Sequence, residues 1–224
     1  MTNTSEEPIR LDASARKKRC SLPISKKTLL EGPSPIPSSF LFALAERRSA
    51  ERFSPIPMND LATWLYYSAS IQSVHSDDPN RQRRFVGSFG ALHPAHILLG
   101  NPDGQWHVYL PEEHALGELR VEAEIASQLR GRAIQHFSSS EATLVALICD
   151  LDLVDHYYTN ASGLISRDAG VLLGHAALVA AALGTAFRIL GSSGTPFLEH
   201  LVCNLPFKGM ATGLAWIGAK VEIT

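Results

Sequence analysis

What this 224-residue sequence lacks narrows its function quickly. Its three cysteines, Cys20, Cys149 and Cys203, are odd in number and far apart. They suggest neither a disulfide framework nor a CxxC metal site, so a reducing, cytoplasmic setting is the simplest reading. Charge of one sign is missing too: 20 basic residues against 22 acidic ones leave −2. That balance gives no global electrostatic case for nucleic acid or an anionic membrane. No basic stretch followed by an apolar run opens the chain, since Met1–Arg10 is polar and acidic, so no secretory leader is expected. Neither a GxGxxG nor a P-loop is present, which removes Rossmann-type nicotinamide binding as the main cofactor mode, and no Ser/His/Asp order stands out. His93 and His96 are three apart, but Pro94 between them disfavours a shared helical face, and no metal site is expected.

Long hydrophobic runs are also scarce, with one exception. Ala169–Phe187 is uncharged and near bilayer-spanning length. It is built of Ala and Gly rather than Leu and Ile, carries His175, and has no aromatic belt. It reads as the buried central helix of a larger domain, not a membrane span. His175 on that helix reads as a satisfied core histidine.

What is present fits one globular domain with a tail: 45% of residues are hydrophobic and 19% charged. Residues 1–37 hold seven Lys/Arg against four acids and end in Gly32-Pro33-Ser34-Pro35-Ile36-Pro37. They read as a flexible basic tail and linker, solvated or able to bind an acidic partner, with the domain spanning 38–224. Ser38 or Ser39 can cap a helix from Phe40 to Arg48, and Asn59 or Asp60 a second one through Ser68. Residues 75–87 are polar and predict a loop. Ala95–Leu99 and Trp106–Leu110 predict a hairpin, and Glu112–Leu129 a helix. A strand is predicted at Leu144–Cys149, the long helix over Arg167–Leu183, a strand at Phe187–Leu190, a helix at Pro196–Cys203 and a last strand at Leu214–Ile217. Helices and strands interspersed without βαβ repetition predict an α+β fold.

Three segments can carry chemistry. Glu46-Arg47-Arg48-Ser49-Ala50-Glu51-Arg52-Phe53 clusters guanidinium groups that suit a phosphate, or simply form a solvated helix end. Arg84-Phe85-Val86-Gly87-Ser88-Phe89-Gly90-Ala91-Leu92-His93-Pro94 is a small-residue turn whose backbone NH groups can approach a ligand, or a plain turn into a strand. Leu173-Gly174-His175-Ala176-Ala177 through Gly184, followed by Gly191-Ser192-Ser193-Gly194, allows close helix packing and a backbone NH near a flat ring.

In this order and spacing the three segments resemble the nitroreductase-like flavoproteins, and most nearly their SagB-like branch, which includes azoline dehydrogenases. The resemblance covers about Phe40 to Lys220. It implies an α+β, nitroreductase-like fold with a central, mostly antiparallel sheet flanked by helices, and a homodimer whose interface forms two FMN sites. It would place Arg47, Arg48, Ser49 and Arg52, with Lys220, at the FMN phosphate; Ser88 and Gly90 along the ribityl chain; and Gly191 at the reactive ring edge. The cofactor would supply the hydride chemistry and the protein the positioning. Glu51 departs from the phosphate motif and His93 from the branch's tyrosine. The branch's Lys-Tyr pair falls on Asn160 and Ala161, which leaves Tyr158 as the candidate base, with Arg167 as its catalytic companion. The expected function is FMN-dependent two-electron oxidation of a small or peptidic substrate, such as azoline to azole in natural-product tailoring. Alternatives are an NAD(P)H-dependent nitro or quinone reductase, a non-catalytic subunit of a peptide-modifying complex, and an FMN sensor or store. No nucleic-acid or membrane partner is expected.

Overall fold

The most apolar strand of the sequence anchors the architecture. In a computed structural model, which describes residues 7–11, 18–36, 38–136 and 141–221, the chain forms β1 (Ile9–Arg10), β2 (Ile24–Leu29), α1 (Phe40–Glu46), α2 (Met58–Ala69), β3 (Ile71–His75) and β4 (Asp78–Arg84). A 3-10 turn at Phe89–Ala91 leads to β5 (Ala95–Gly100), β6 (Trp106–Leu110), β7 (Ala115–Leu119) and α3 (Ala123–His136). There follow β8 (Thr143–Asp150), α4 (Leu151–Asp155), β9 (Tyr158–Thr159), α5 (Ser162–Leu183), β10 (Ala186–Ile189), α6 (Phe197–Leu201) and β11 (Gly209–Gly218). Seven strands form one antiparallel sheet in the order β10-β11-β8-β5-β6-β7-β2.

All of β8 is buried, because both faces of the sheet are covered. Side chains alternate across a strand, so Leu144, Ala146 and Ile148 enter one core, together with Leu129 of α3 and Leu198 and Leu201 of α6. Val145 and Leu147 enter the other, against Trp64 and Leu65 of α2 and Ala169, Leu173 and Ala176 of α5. Helix α5 is long and apolar enough to cross a membrane by length and composition, but its apolar stripe is used against the sheet and α2. Trp64 Nε1 donates to Ala176 O at 3.0 Å, and His175 Nε2 lies 2.8 Å from Tyr67 O. His175 is satisfied as expected, but half-buried at the edge of the core and not inside it.

The expected Asn59 or Asp60 cap is not formed: Pro57 precedes α2, with no side-chain cap hydrogen bond, and Asn59 and Asp60 lie inside its first turn. Three larger expectations change. Residues 18–36 do not form a free tail: Leu22 is 4% exposed in the core, and β2 pairs with β7 from Ile24 to Leu29. Every residue of β2 is exposed and two are lysines, so the strand joins through its backbone and has no apolar face to betray it. This is the composition that protects sheet edges. Residues 12–17 of the same segment lie outside the described residues. Second, Glu112–Leu129 is split into β7 and α3, because pairing with β6 and β2 overrides the local helix propensity of Ala115-Leu116-Gly117-Glu118-Leu119. Gly117 is needed there, since a Cβ would run into the Ile24 side chain.

Third, residues 75–87 are not loop but largely the β3–β4 hairpin. Its inward residues are Asp78, Asn80 and Gln82, all buried, so a hydrophobic-polar pattern cannot reveal it. Asp78 accepts from Tyr157 Oη (2.9 and 3.0 Å) and Arg81 Nε (3.0 Å), while Asn80 Nδ2 donates to Tyr157 Oη at 3.1 Å. Buried polar groups persist when they are satisfied in this way.

Candidate functional site

The chain leaving α1 is drawn along the β10 edge of the sheet. Ala50 N donates to Phe187 O (3.0 Å), and Ser54 and Ala219 exchange backbone hydrogen bonds at 3.1 and 2.9 Å. Gly218 permits that approach, for a Cβ there would lie 2.6 Å from Ser54 O. Arg48 and Arg52 thereby come to line one cleft of about 380 Å³ with Lys220, over Ala177, Ala180 and Ala181 of α5. Arg48 Nη1 is held by Ala45 O (2.6 Å) and Arg47 O (3.0 Å). This caps the carbonyl end of α1, where a cation is favourable. Glu46 and Glu51 line the same cleft, so three cations against two carboxylates leave one net positive charge. Arg47 and Ser49 are exposed beside the cleft but do not line it.

Ser88 and Gly90 line a different cleft, of about 770 Å³, with Arg81, Arg83, Arg84 and His93. The turn between them is backbone-strained: φ is +56° at Gly90, +59° at Ala91 and +44° at His93. Four side chains hold it. Ser88 Oγ accepts from His93 N (2.8 Å), Asp168 Oδ1 accepts from Phe89 N (3.1 Å), Arg81 Nη1 donates to Gly90 O (3.0 Å), and Arg19 Nη1 donates to His93 O (2.9 Å). Strain that is over-determined by its surroundings is characteristic of functional sites. Tyr158 stands against this turn: its ring meets Phe89 edge-on at 5.5 Å, and a Cβ on Gly90 would lie 2.6 Å from its hydroxyl.

The remaining candidates are not brought together. Arg167 is exposed on α5, with Nε donating to Gly163 O (3.1 Å). Gly191 is exposed after β10 and lines neither cleft. A Cβ there would meet nothing within 4 Å, so packing does not require glycine at that position.

Sequence reasoning missed Asp168, Arg81 and Arg19 as the groups that shape the turn. Asp168 carried a signal, being an acid at the mouth of an apolar helix. Burial pushes its carboxyl above the ordinary range, opposed by the Ser88 hydroxyl, Phe89 N–H and Arg84. His93, 6% exposed, places Nε2 2.9 Å from Gln82 O. Burial and then the Arg84 charge lower its pKa to about 3 from 6.5. In the unfolded chain His93 takes up a proton near 6.5 that the fold resists until about 3. Stability is therefore full above about 6.5 and is lost as pH falls toward 3, at up to about 1.4 kcal/mol per pH unit. Urea unfolding at pH 7, 6 and 5 checks this, with His93→Gln expected to flatten part of the slope. An identical pH profile in the variant would exclude His93 as its source.

No family model matches the chain, and no curated protein matches it in sequence. Solved structures do match. A protein from Ralstonia eutropha assigned as a nitroreductase aligns with TM-score 0.65 and 16% identity, over 93% of this chain and 98% of that one. A chain of the E. coli microcin synthetase McbBCD complex with truncated pro-MccB17 bound aligns with TM-score 0.62 and 16% identity, over 92% and 85%. A protein from Desulfovibrio desulfuricans assigned as a nitroreductase, in complex with FMN, aligns with TM-score 0.52 and 16% identity, over 83% and 88%. At such identities the likeness is one of architecture, and this chain has the nitroreductase fold.

Proposed function

We propose that the chain is an FMN-dependent two-electron oxidoreductase that works as a homodimer. The observation that carries this reading is the cleft in which Arg48, Arg52 and Lys220 converge from two distant parts of the sequence. Arginine and lysine suit a phosphate dianion, and the flat wall of Ala177, Ala180 and Ala181 leaves room beside them. The fit is tempered by Glu46 and Glu51, which lower the net charge. Arg47 and Ser49 would flank the phosphate. When bound, FMN supplies hydride chemistry, and the chain's part is to orient it and the substrate.

Two features support the dimer reading. Phe40, Leu41 and Phe42 of α1 are 68%, 76% and 55% exposed, an apolar face of the kind that marks interaction sites. The cationic cleft and the Ser88–Gly90 turn are separate within one chain, and a two-fold pairing would let one cofactor use the cleft of one subunit and the turn of the other. Gly191 is proposed to present its backbone to the ring edge. Tyr158 would hold the substrate proton, and Arg167 would meet a polar group of the substrate. The likeness to the microcin synthetase chain favours oxidation in peptide or natural-product tailoring, azoline to azole among such reactions, over NAD(P)H-dependent reduction of nitro compounds or quinones.

A second reading has its own observation. Glu46 and Glu51 in the cleft favour a non-catalytic subunit of a modification complex, which would bind little flavin. A visible spectrum of the purified protein, with identification of released flavin, separates the two. Twin flavin bands at about one FMN per chain are expected. Protein that stays colourless after incubation with FMN would overturn the oxidoreductase reading and leave the subunit reading standing.

A further inference from the structure

A second polar site lies beneath the N-terminal segment, apart from the Arg48–Lys220 cleft and sharing Arg84 with the Ser88–Gly90 cleft. A cavity of about 40 Å³ is lined by Arg19, Cys20, Arg84, His96, Tyr109 and Glu112 among its polar residues, which is room for a few water molecules or one small ion.

Two buried nitrogens of this lining, one on Arg19 and one on His96, lack a protein partner. Arg19 spends Nη1 on His93 O (2.9 Å) and Nη2 on Asn80 O (3.2 Å) and Leu92 O, and its buried Nε has none. Arg84 gives Nε and Nη2 to the neutral Gln82 Oε1 (3.2 and 2.6 Å) and borders both this cavity and the Ser88–Gly90 cleft. The Nε2 of His96 is buried without a partner, its ring stacked on Phe207 at 5.1 Å. Among the described residues neither guanidinium forms an ion pair with a carboxylate. Glu112 acts on both arginines from a longer range, with Asp150 near Arg19 and Asp168 near Arg84.

A guanidinium does not shed its proton in a protein, and two like charges on one cavity, with Glu112 the one carboxylate in its lining, leave a net positive charge that favours an anion. We propose that this cavity binds a small monovalent anion, of chloride size, through Arg19, Arg84 and His96. Such an ion accepts from Arg19 Nε–H and His96 Nε2–H, beside the Arg84 charge that also lines the cavity. It also has a structural consequence. Arg19 belongs to the N-terminal segment, whereas Arg84 and His96 belong to β4 and β5, so the anion clamps the segment onto the body of the domain.

Thermal unfolding of the full chain in sodium chloride, sodium bromide and sodium gluconate at matched ionic strength tests this. At about 100 mM, a Tm roughly 2–4 °C higher in chloride or bromide than in gluconate is expected. The difference should vanish in Arg84→Met and shrink in His96→Phe. Crystals soaked in bromide should show anomalous density between Arg19, Arg84 and His96. That peak decides the matter if the variants fail to fold. Equal Tm values in the three salts, or a halide effect with no bromide peak in this cavity, would overturn the proposal in favour of water alone or an ion bound elsewhere. Neither outcome depends on whether the chain binds FMN.

Discussion

Exchanging Arg52 and Lys220 together for glutamate is expected to weaken FMN binding at least about 100-fold and leave the fold intact. Charge-assisted hydrogen bonds are each worth about 1.5–3 kcal/mol, so losing two removes about 3–6 kcal/mol, or roughly 100- to 10,000-fold in affinity. Both side chains are exposed and line the cleft, and exposed substitutions of this kind typically change stability by only about 0.5 kcal/mol. The reverse change, Glu51→Arg, removes a carboxylate from the same cleft and should tighten binding. Titration of each variant with FMN, followed by quenching of flavin fluorescence, reads both effects. Unchanged affinity in the double variant would move the phosphate away from this cleft, and equal thermal stability would show that the loss is not unfolding.

Gly90→Ala is expected to be strongly destabilising, at about 2–5 kcal/mol. One part comes from the backbone: φ at Gly90 is +56°, a left-handed conformation that costs an L-residue about 1–2 kcal/mol. The other part is steric, because the new Cβ would stand 2.6 Å from Tyr158 Oη, with the next ring atom at 3.5 Å, and overpacking typically adds about 1–3 kcal/mol. The two are separable. Tyr158→Phe removes the hydroxyl and leaves an ordinary contact, so the double variant should recover the steric part and keep the backbone part. A double-mutant cycle from denaturant unfolding gives the coupling. Additive single effects would mean that the turn moves away from Tyr158 at no cost, and the strained geometry at Ser88–His93 would then not be enforced by its neighbours.

Much of the fold was legible wherever side chains report burial. The run Leu144–Cys149 reads as a strand because β8 is covered on both faces. The long apolar helix, the Ala95–Leu110 hairpin and the Ser39 cap, whose Oγ accepts from Phe42 N at 3.2 Å, also read correctly for local reasons. The segments that failed share one property. β2 joins the sheet through its backbone with no buried face, β7 is held by pairing that its own residues do not favour, and the hairpin of β3 and β4 buries polar side chains.

The site divides along the same line. Which residue types belong near a phosphate or a tight turn is written locally, in Arg48 and Arg52 and in the small-residue Ser88–Gly90 turn, whereas the left-handed backbone at Gly90 is seen only in the fold. That Lys220 belongs with Arg48 and Arg52 came from the family resemblance and not from any local pattern, and the tertiary structure brings the three to one cleft through a two-residue bridge between Ser54 and Ala219. It also decided that Asp168 and Arg19 hold the strained turn, and that Gly191 and Arg167 stand apart from both clefts. The physical reason is range. Propensity, capping and periodicity act over a few residues, whereas a site made of charges is assembled by backbone pairing between segments over a hundred residues apart, which no local pattern records.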